Sequence, residues 1–504
     1  MRQRHYAAID CGNSNGKLID ITFDGSTIKY GYAESFPFAP VTVLGSVYND
    51  FLHIHELIQD GLAKLVSVNG CGAIRSVGIT TWGSNYGLIN KNGLLAHHSF
   101  CSRDKTGQAM LEDVLSKGLI TKRDFFRSTG TTLVDFCAQI ELLRDKTLCP
   151  EAYNAADCFL ATPSLLSYFL SGEKFNDTTM LSTACLLRSG SDRIDTGLLR
   201  RFGLRTDFFP DTLAPGTRVG RLAQSVACHV GDAQIEMVAC AGHDTPSGLI
   251  PIQGLDAQTA FISMGTMMLV GTVSPAPDLS DNVFDNGFRV VRTADSYATY
   301  RDIQGFWILN QCMKGFSRNG AAPSFDELEA EAGKLEKGKS LINLNCKLFY
   351  YGGADMVERI VRYCGETGQH IPQSPAEIYR CLIDSYALAA RSTVEALAAL
   401  RDKPIQKIKL FNGGSQCDLL GETISECTGC EVESGIRYAT ALGCATLQML
   451  SYGEFDSMAQ LQDAVAASFP MKNLSKRKCE AWDDIYRRYR ALECLPEAAD
   501  VIRE

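Results

Sequence analysis

The sequence predicts an α/β fold built in two lobes. Two observations point to α/β: residues 6–23 read as strand, small polar turn and strand, and extended and helical segments then alternate along the chain. A third points to two lobes: residues 260–273, AFISMGTMMLVGTV, repeat the opening plan of apolar strand, polar turn and apolar strand. At 504 residues the chain also exceeds what a single core organises.

The elements follow in order. Residues 6–10 are an apolar run ending on Asp10, residues 11–16 a glycine-containing turn, and residues 17–23 a second strand of alternating character. Residues 47–68 carry a helical pattern, and residues 76–82 return to strand. Thr162-Pro163 opens a helix that Gly172 closes. Residues 237–241 read as a buried strand interrupted by Gly242-His243-Asp244-Thr245-Pro246. Pro246 suits a first helical turn and Thr245 the capping position, which holds Asp244 at a strand-to-helix junction. A carboxylate there either favours the positive end of a helix dipole or serves as a general base, and the local sequence leaves both open. Beyond Pro251 come the second hairpin, a long helix over 375–400, a strand over 405–411 running into Asn412-Gly413-Gly414-Ser415, a helix from about 417, and a charged helical tail after Gly453. The lobe boundary is placed near residues 245–255, giving an N-terminal lobe 1–247 and a C-terminal lobe 248–504.

Composition narrows the function. Hydrophobic residues make up 45% and charged residues 21%, ordinary values for a soluble globular chain. The net charge of −9 argues against a general nucleic-acid binder, so an anionic ligand must be met locally. No segment has the length and apolarity of a membrane span, and the N-terminus, MRQRHYAAID, lacks an apolar signal core. Nineteen cysteines, odd in number and scattered through apolar runs, suit buried reduced thiols. The single Cys427-x-x-Cys430 has no second pair to complete a zinc site, and Gly429 is placed to end the preceding helix. A cytoplasmic protein is expected.

Residues 333–340, GKLEKGKS, match the P-loop expression in every position. A phosphate cradle of that kind requires a strand before it and a helix after it. Here an acidic helix opened by Ser324 precedes, and LINLN, read as a strand, follows. The motif is therefore not read as a P-loop. Gly12 to Lys17 also falls short, with one residue too few between its glycines and Leu18 where a hydroxyl is required.

Three turns remain that share one chemistry: Asp10 with Gly12 to Gly16, Ser263 to Thr266, and Asn412 to Ser415. Each joins a strand end to small residues whose backbone can approach a polyanion. Their order, with GHDT between the first and second, resembles the FGGY carbohydrate kinases, most of all the rhamnulokinase-like branch. The stretches that carry the resemblance include IDCGNSNGKLIDITFDG, VGITTWGSNYGLIN, AGHDTPSG, ISMGTMMLVG, DIQGFWILNQ and, most specific, FNGGSQCDLLGETISECTGCEVESGIRYATALGCATLQM. They extend through nearly the whole chain.

The resemblance implies two RNase H-like lobes of the actin/hexokinase-like fold with a ligand cleft between them. It implies transfer of the γ-phosphate of ATP, with Mg²⁺, to a primary hydroxyl of a ketose, rhamnulose or L-fuculose being the first expectations. A xylulose-type or polyol kinase, or a sugar or nucleotide sensor that kept the fold, are the alternatives. Carried over by position, Asp244 is the base, with His243 beside it on the sugar, and Asp10 lies where Mg²⁺ and phosphate are held. Trp82, Gly83, Asn85, Arg103 and Asp104 fall on the sugar side. Asn13, Ser14, Lys17, Ser263, Gly265, Thr266, Gln304, Gly413, Gly414, Ser415 and Gln416 fall on the nucleotide side. A small-molecule sugar is the implied partner, without nucleic acid or membrane, and monomer and homodimer stay open. The chain departs from the branch at Thr80 and Asn85, which stand where carboxylates are usual, at Asp302, where asparagine is usual, and at Asn412, where glycine is usual. These departures bear on which sugar is taken and on nucleotide preference.

Overall fold

The computed structural model describes residues 3–13, 15–317, 323–350, 353 and 355–495. The opening alternation folds into an antiparallel hairpin, β1 (Arg4–Cys11) and β2 (Asn15–Phe23), and β3 (Ile28–Pro37) adds to its outer edge. The helix α1 (Phe51–Asn69) then crosses to β4 (Ile74–Thr81), which lies parallel to β1. Its start falls four residues later than the periodicity suggests. The Asp50 carboxylate caps the first turn by accepting the His53 N–H at 3.1 Å, and Ser46–Tyr48 is taken by a small hairpin with Val41–Val43.

Downstream, α2 (Thr178–Thr183), β5 (Thr217–Arg221), β6 (Glu236–Ala239) and α3 (Asp244–Leu249) complete the part of the chain around the first sheet, whose order is β5-β6-β4-β1-β2-β3. The three central strands β6, β4 and β1 run parallel, so their C-terminal ends share one edge. Helix α3 begins at Asp244 itself, with His243 in the capping position, and Thr245 is already inside the helix. The expected cap at Thr245 is displaced because the His243 backbone is still extended, bridged to Thr81 of β4.

The second hairpin, β7 (Thr259–Met264) and β8 (Met267–Ser274), starts another sheet. After the long helix α4 (Pro375–Arg401), strand β9 (Lys407–Phe411) pairs parallel with β7. Helix α5 (Asp418–Thr428), ended by Gly429 in the left-handed conformation, leads to β10 (Glu431–Ser434), parallel to β9. The centre of this sheet thus runs β8-β7-β9-β10. The plan of the first sheet recurs: a hairpin whose first strand receives a parallel partner from later in the chain.

The GKLEKGKS segment lies after the helix Phe325–Ala332, which opens with a Ser324–Glu327 capping box. Its Gly338 N–H donates to Asp384 at 2.7 Å and its Lys337 pairs with Glu426 at 2.5 Å, so it serves the packing around α4. Residues 341–345, read as a strand, form none.

Packing divides the chain into two compact units: Met1–Gln253 with Ser274–Thr299 and Ala439–Ser468, and Gly254–Val273 with Tyr300–Tyr438 and Phe469–Glu504. The first unit is closed by α6 (Ala439–Ser451), contributed from far along the chain. Its Gln448 side chain donates to the Ala7 carbonyl at 3.0 Å and accepts from Ser76 Oγ at 2.7 Å. Gly443 is required where α6 meets α3: a Cβ there would stand 1.8 Å from the Ser247 carbonyl oxygen.

Candidate functional site

Strand register assembles the first half of the site. Asp10 pairs with Thr80, and Cys11 with Thr81, while the Thr81 N–H donates to the Gly242 carbonyl at 2.8 Å. The ends of β1 and β4 and the turn after β6 therefore lie side by side, which brings Asp10, Trp82, Gly83, His243 and Asp244 together. Gly83 packs so closely on His243 that an added Cβ would fall 2.5 Å from Nε2.

Asp244 keeps 40% of its side chain accessible, although its neighbour His243 is buried. His243 Nε2 lies 3.2 Å from Asp244 Oδ1, and the Thr245 hydroxyl donates to the same oxygen at 3.1 Å. The other imidazole nitrogen, Nδ1, is 2.8 Å from Thr183 Oγ1. With the Thr183 hydroxyl donating, Nε2 carries the proton and points it at the carboxylate. Helix α2 steadies the turn a second way. Asp177 caps α2 through the Thr179 and Met180 N–H groups and also accepts the Gly242 N–H at 3.1 Å. Asp177, Thr179 and Thr183 were not singled out by the sequence. The only signal there, Asp followed by Thr-Thr, announces a helix cap and says nothing of a turn 65 residues away.

Asp10 is half-buried, and its carboxyl is pushed up to about 6, first by burial and further by the Asp244 charge, with Lys17 opposing. Lys17 stands directly across the hairpin from it. The turn between them is closed by Gly12 N–H to the Asn15 carbonyl at 2.9 Å; Asn13 is exposed at its tip, and Ser14 lies outside the described residues.

The remaining residues expected on the sugar side are held more firmly by protein. Trp82 is a core residue, its ring stacked on Phe51 at 6.2 Å, and its Nε1–H donates to Asn85 Oδ1 at 3.1 Å. Asn85, at φ 69°, gives its amide hydrogens to Glu141 Oε1 at 2.6 Å and the Phe100 carbonyl at 3.2 Å. Both amide hydrogens and Oδ1 thus meet protein groups. Burial pushes Glu141 up to about 8, against the nearby Arg144. Asp104 is buried, accepting from the Val47 N–H at 2.8 Å and from the backbone and hydroxyl of Thr106, whereas Arg103 is exposed. Asp104 thus acts as the anchor of this loop.

In the second unit, β7 and β9 end side by side, which brings Ser263 to the Asn412 turn: Asn412 Nδ2 donates to Ser263 Oγ at 3.0 Å. Asn412 itself adopts φ 66° with ψ −158°, a region that glycine reaches freely and that is strained for asparagine. Ser415 closes the turn through its N–H and hydroxyl to the Asn412 carbonyl, at 3.0 and 2.7 Å. Gly414 is buried against the Met264 side chain, while Gly413 and Gln416 are exposed. On the other hairpin, Gly265 and Thr266 offer their carbonyls to the backbone of Gly305, Phe306 and Trp307, so this turn holds the start of the helix Phe306–Phe316. Gln304, just before it, is buried and its N–H faces Asn345 Oδ1 at 3.3 Å.

Among the described residues, no group of three or more His, Cys, Asp or Glu side chains gathers in a metal-holding arrangement, and no helix is long and apolar enough to cross a membrane.

Comparison with known proteins extends these findings. Residues 5–251 match the model of the FGGY family of carbohydrate kinases, N-terminal domain, and residues 260–452 that of its C-terminal domain. The rhamnulokinase of Bacteroides thetaiotaomicron is 31% identical over 492 residues, 97% of this chain and 99% of that protein. The rhamnulokinase of Mannheimia succiniciproducens is 28% identical over 480 residues, 94% of this chain and 95% of that protein. Among solved structures, a ligand-bound xylulose kinase from Lactobacillus acidophilus superposes with a TM-score of 0.78 at 14% identity, covering 97% of each chain.

Proposed function

Because the chain belongs to the FGGY family of carbohydrate kinases, with the two-lobed actin/hexokinase-like fold and the ATP-dependent phosphotransfer of that family, we propose that its acceptor is a ketose of the L-rhamnulose type and that Asp244 is the base. The substrate assignment is supported by similarity to rhamnulokinases along nearly the full chain. A xylulose-type ketose is the second reading, favoured by the similarity of fold to a xylulose kinase.

One observation carries the assignment of the base: an accessible carboxylate, at the shared end of three parallel strands, whose Oδ1 is held by His243 and Thr245. Those bonds fix the plane of the carboxylate. A weak base suffices, since phosphoryl transfer through a loose transition state needs the acceptor proton removed late. We assign the phosphates of the nucleotide to the Gly12–Lys17 turn and to Ser263, Gly265 and Thr266, with Gly413 to Gln416 at its ribose and adenine end. Trp82 and Asn85 shape the sugar side from behind, and Gly83 leaves the space in which His243 sits.

The donor chemistry also fits Mg²⁺. That ion takes one or two carboxylates plus substrate phosphates rather than an all-protein cage, and Asp10, with Asp244 near enough to raise its pKa, supplies such a donor. Mg²⁺ would be held at Asp10 and would neutralise charge on the phosphates.

An ADP-release screen over ketoses and polyols tests the reading. L-rhamnulose is expected to stimulate release most, and Asp244→Asn to bind ATP normally while losing roughly 10²- to 10⁴-fold in kcat. Absence of stimulation by any sugar would refute the substrate class, and a folded Asp244→Asn protein with near-normal turnover would refute the base.

A further inference from the structure

At the end of the first sheet opposite Asp10, a cavity of about 520 Å³ is lined by Arg4, Arg75, Arg218, Gln234, Glu236 and Tyr452. Arg4 and Glu236 begin β1 and β6, and Arg75 lies one residue into β4. Six residues of extended strand separate Arg4 from Asp10, roughly 20 Å, so this cavity is distinct from the site around Asp244.

Cations and carboxylates are unequally matched there. Glu454 is engaged by Arg4 and by the Tyr6 hydroxyl at 2.7 Å. Glu236 accepts the Tyr452 hydroxyl at 2.5 Å and lies 3.9 Å from Arg221. Arg75 and Arg218 have no carboxylate at ion-pair distance among the described residues. Their guanidinium groups instead stand over the Tyr452 ring, 4.2 and 5.2 Å from its centroid. The ring is tied down by its bond to Glu236 and by a tilted contact with Tyr6 at 6.3 Å.

A guanidinium resting on an aromatic face keeps its in-plane N–H donors while losing much of its side-chain freedom beforehand. Two such groups at one cavity present a prearranged set of donors to an oxyanion with several acceptor oxygens. The Glu236 charge, which would otherwise repel such a ligand, is partly offset by the Tyr452 hydroxyl and by Arg221. The Tyr452 ring, already covered by guanidinium groups, has little face left for a nucleobase. In a chain of net charge −9, Arg75 and Arg218 form a local concentration of cation that no ion pair among the described residues uses. We propose that this cavity is a second ligand site, binding a phosphate-bearing small molecule through Arg75 and Arg218.

Calorimetric titration of the full-length protein with inorganic pyrophosphate tests this, in the presence of a saturating non-hydrolysable ATP analogue that occupies the nucleotide site. The wild type is expected to bind pyrophosphate, and the double variant Arg75→Ala, Arg218→Ala to bind it roughly 10- to 100-fold more weakly. Arg200→Ala, which removes another exposed arginine of the same unit, is expected to leave binding unchanged. All three proteins are expected to show the same thermal melt and the same sugar-stimulated ADP release without pyrophosphate. No binding by the wild type, undiminished binding by the double variant, or an equal loss in Arg200→Ala would each overturn the proposal. Failure of the kinase reading would appear separately, as absent sugar-stimulated ADP release.

Discussion

Asp10 and Asn85 illustrate how single side chains set the chemistry of the site. The Asp10 carboxyl, raised to about 6 by burial and by Asp244, holds its proton more tightly in the folded protein than in the unfolded chain. Because Mg²⁺ at Asp10 would have to displace that proton, the apparent Mg²⁺ affinity measured by titration of activity should weaken as pH falls through about 6. A Mg²⁺ affinity that does not change across that range would show that Asp10 does not hold the ion. The same shift fixes a sign for stability: the contribution of Asp10 is present at low pH and is lost as pH rises from about 4 to about 6. An Asp10→Asn protein should therefore gain denaturation midpoint relative to wild type across that window and hold the gain above it, while losing activity. Asn85 makes the reverse point. Replacing it with aspartate would set a carboxylate against Glu141, whose carboxyl is already pushed up to about 8, so the hydrogen bond gives way to like-charge repulsion where both ionise and to a shared proton at lower pH. Asn85→Asp is expected to destabilise by about 1–3 kcal/mol at pH 8, and adding Glu141→Gln to restore most of the loss. Urea melts of the single and double variants measure both; an additive double variant would show that the two side chains do not interact.

At the scale of elements, the junction of α3 and α6 matters most, because α3 begins with the proposed base. The two helices approach so closely at Gly443 that a methyl group must displace the Ser247 backbone. Gly443→Ala is expected to cost about 1–3 kcal/mol by overpacking and, by shifting α3, to lower kcat more than it raises KM for the sugar. Equal loss in both would mean that the strain stays away from Asp244. Much at this scale was legible in the sequence. Both glycine-turn hairpins, the long helix over α4, and the strand leading to Asn412 were expected within a few residues, because apolar periodicity, Pro at helix starts and Gly at helix ends encode them locally. The bracket of α2 around the Gly242 turn was not. Nor was the helix Ala138–Leu148, in which Glu141, Arg144 and Asp145 are all buried. Nothing local in its sequence announces that burial, which pairing in three dimensions with Asn85, Tyr86 and His97 makes tolerable. The start of α3 was misread because Thr-Pro carries a strong local capping signal, whereas the extended conformation of His243 is imposed by β4 across the sheet.

For the whole molecule, the telling feature is that the first unit is built from three separate stretches of chain. The helix that supplies Gln448 to Ala7 and Ser76 comes from the third of them. A fragment comprising residues 1–253 is therefore expected to lack fixed tertiary structure, giving a weak near-ultraviolet circular dichroism signal, and to bind neither sugar nor nucleotide. Cooperative unfolding of that fragment with a full aromatic signal would show that α6 is dispensable to the first sheet. The same arrangement bears on how the protein is born. During translation β1 emerges among the first residues, yet its covering helix follows more than 400 residues later, a wait of roughly 20 to 90 s at ordinary elongation rates. For that interval a largely apolar sheet face stands open on the ribosome, and the nascent chain would depend on holding chaperones to keep neighbouring polysomes from sticking to it.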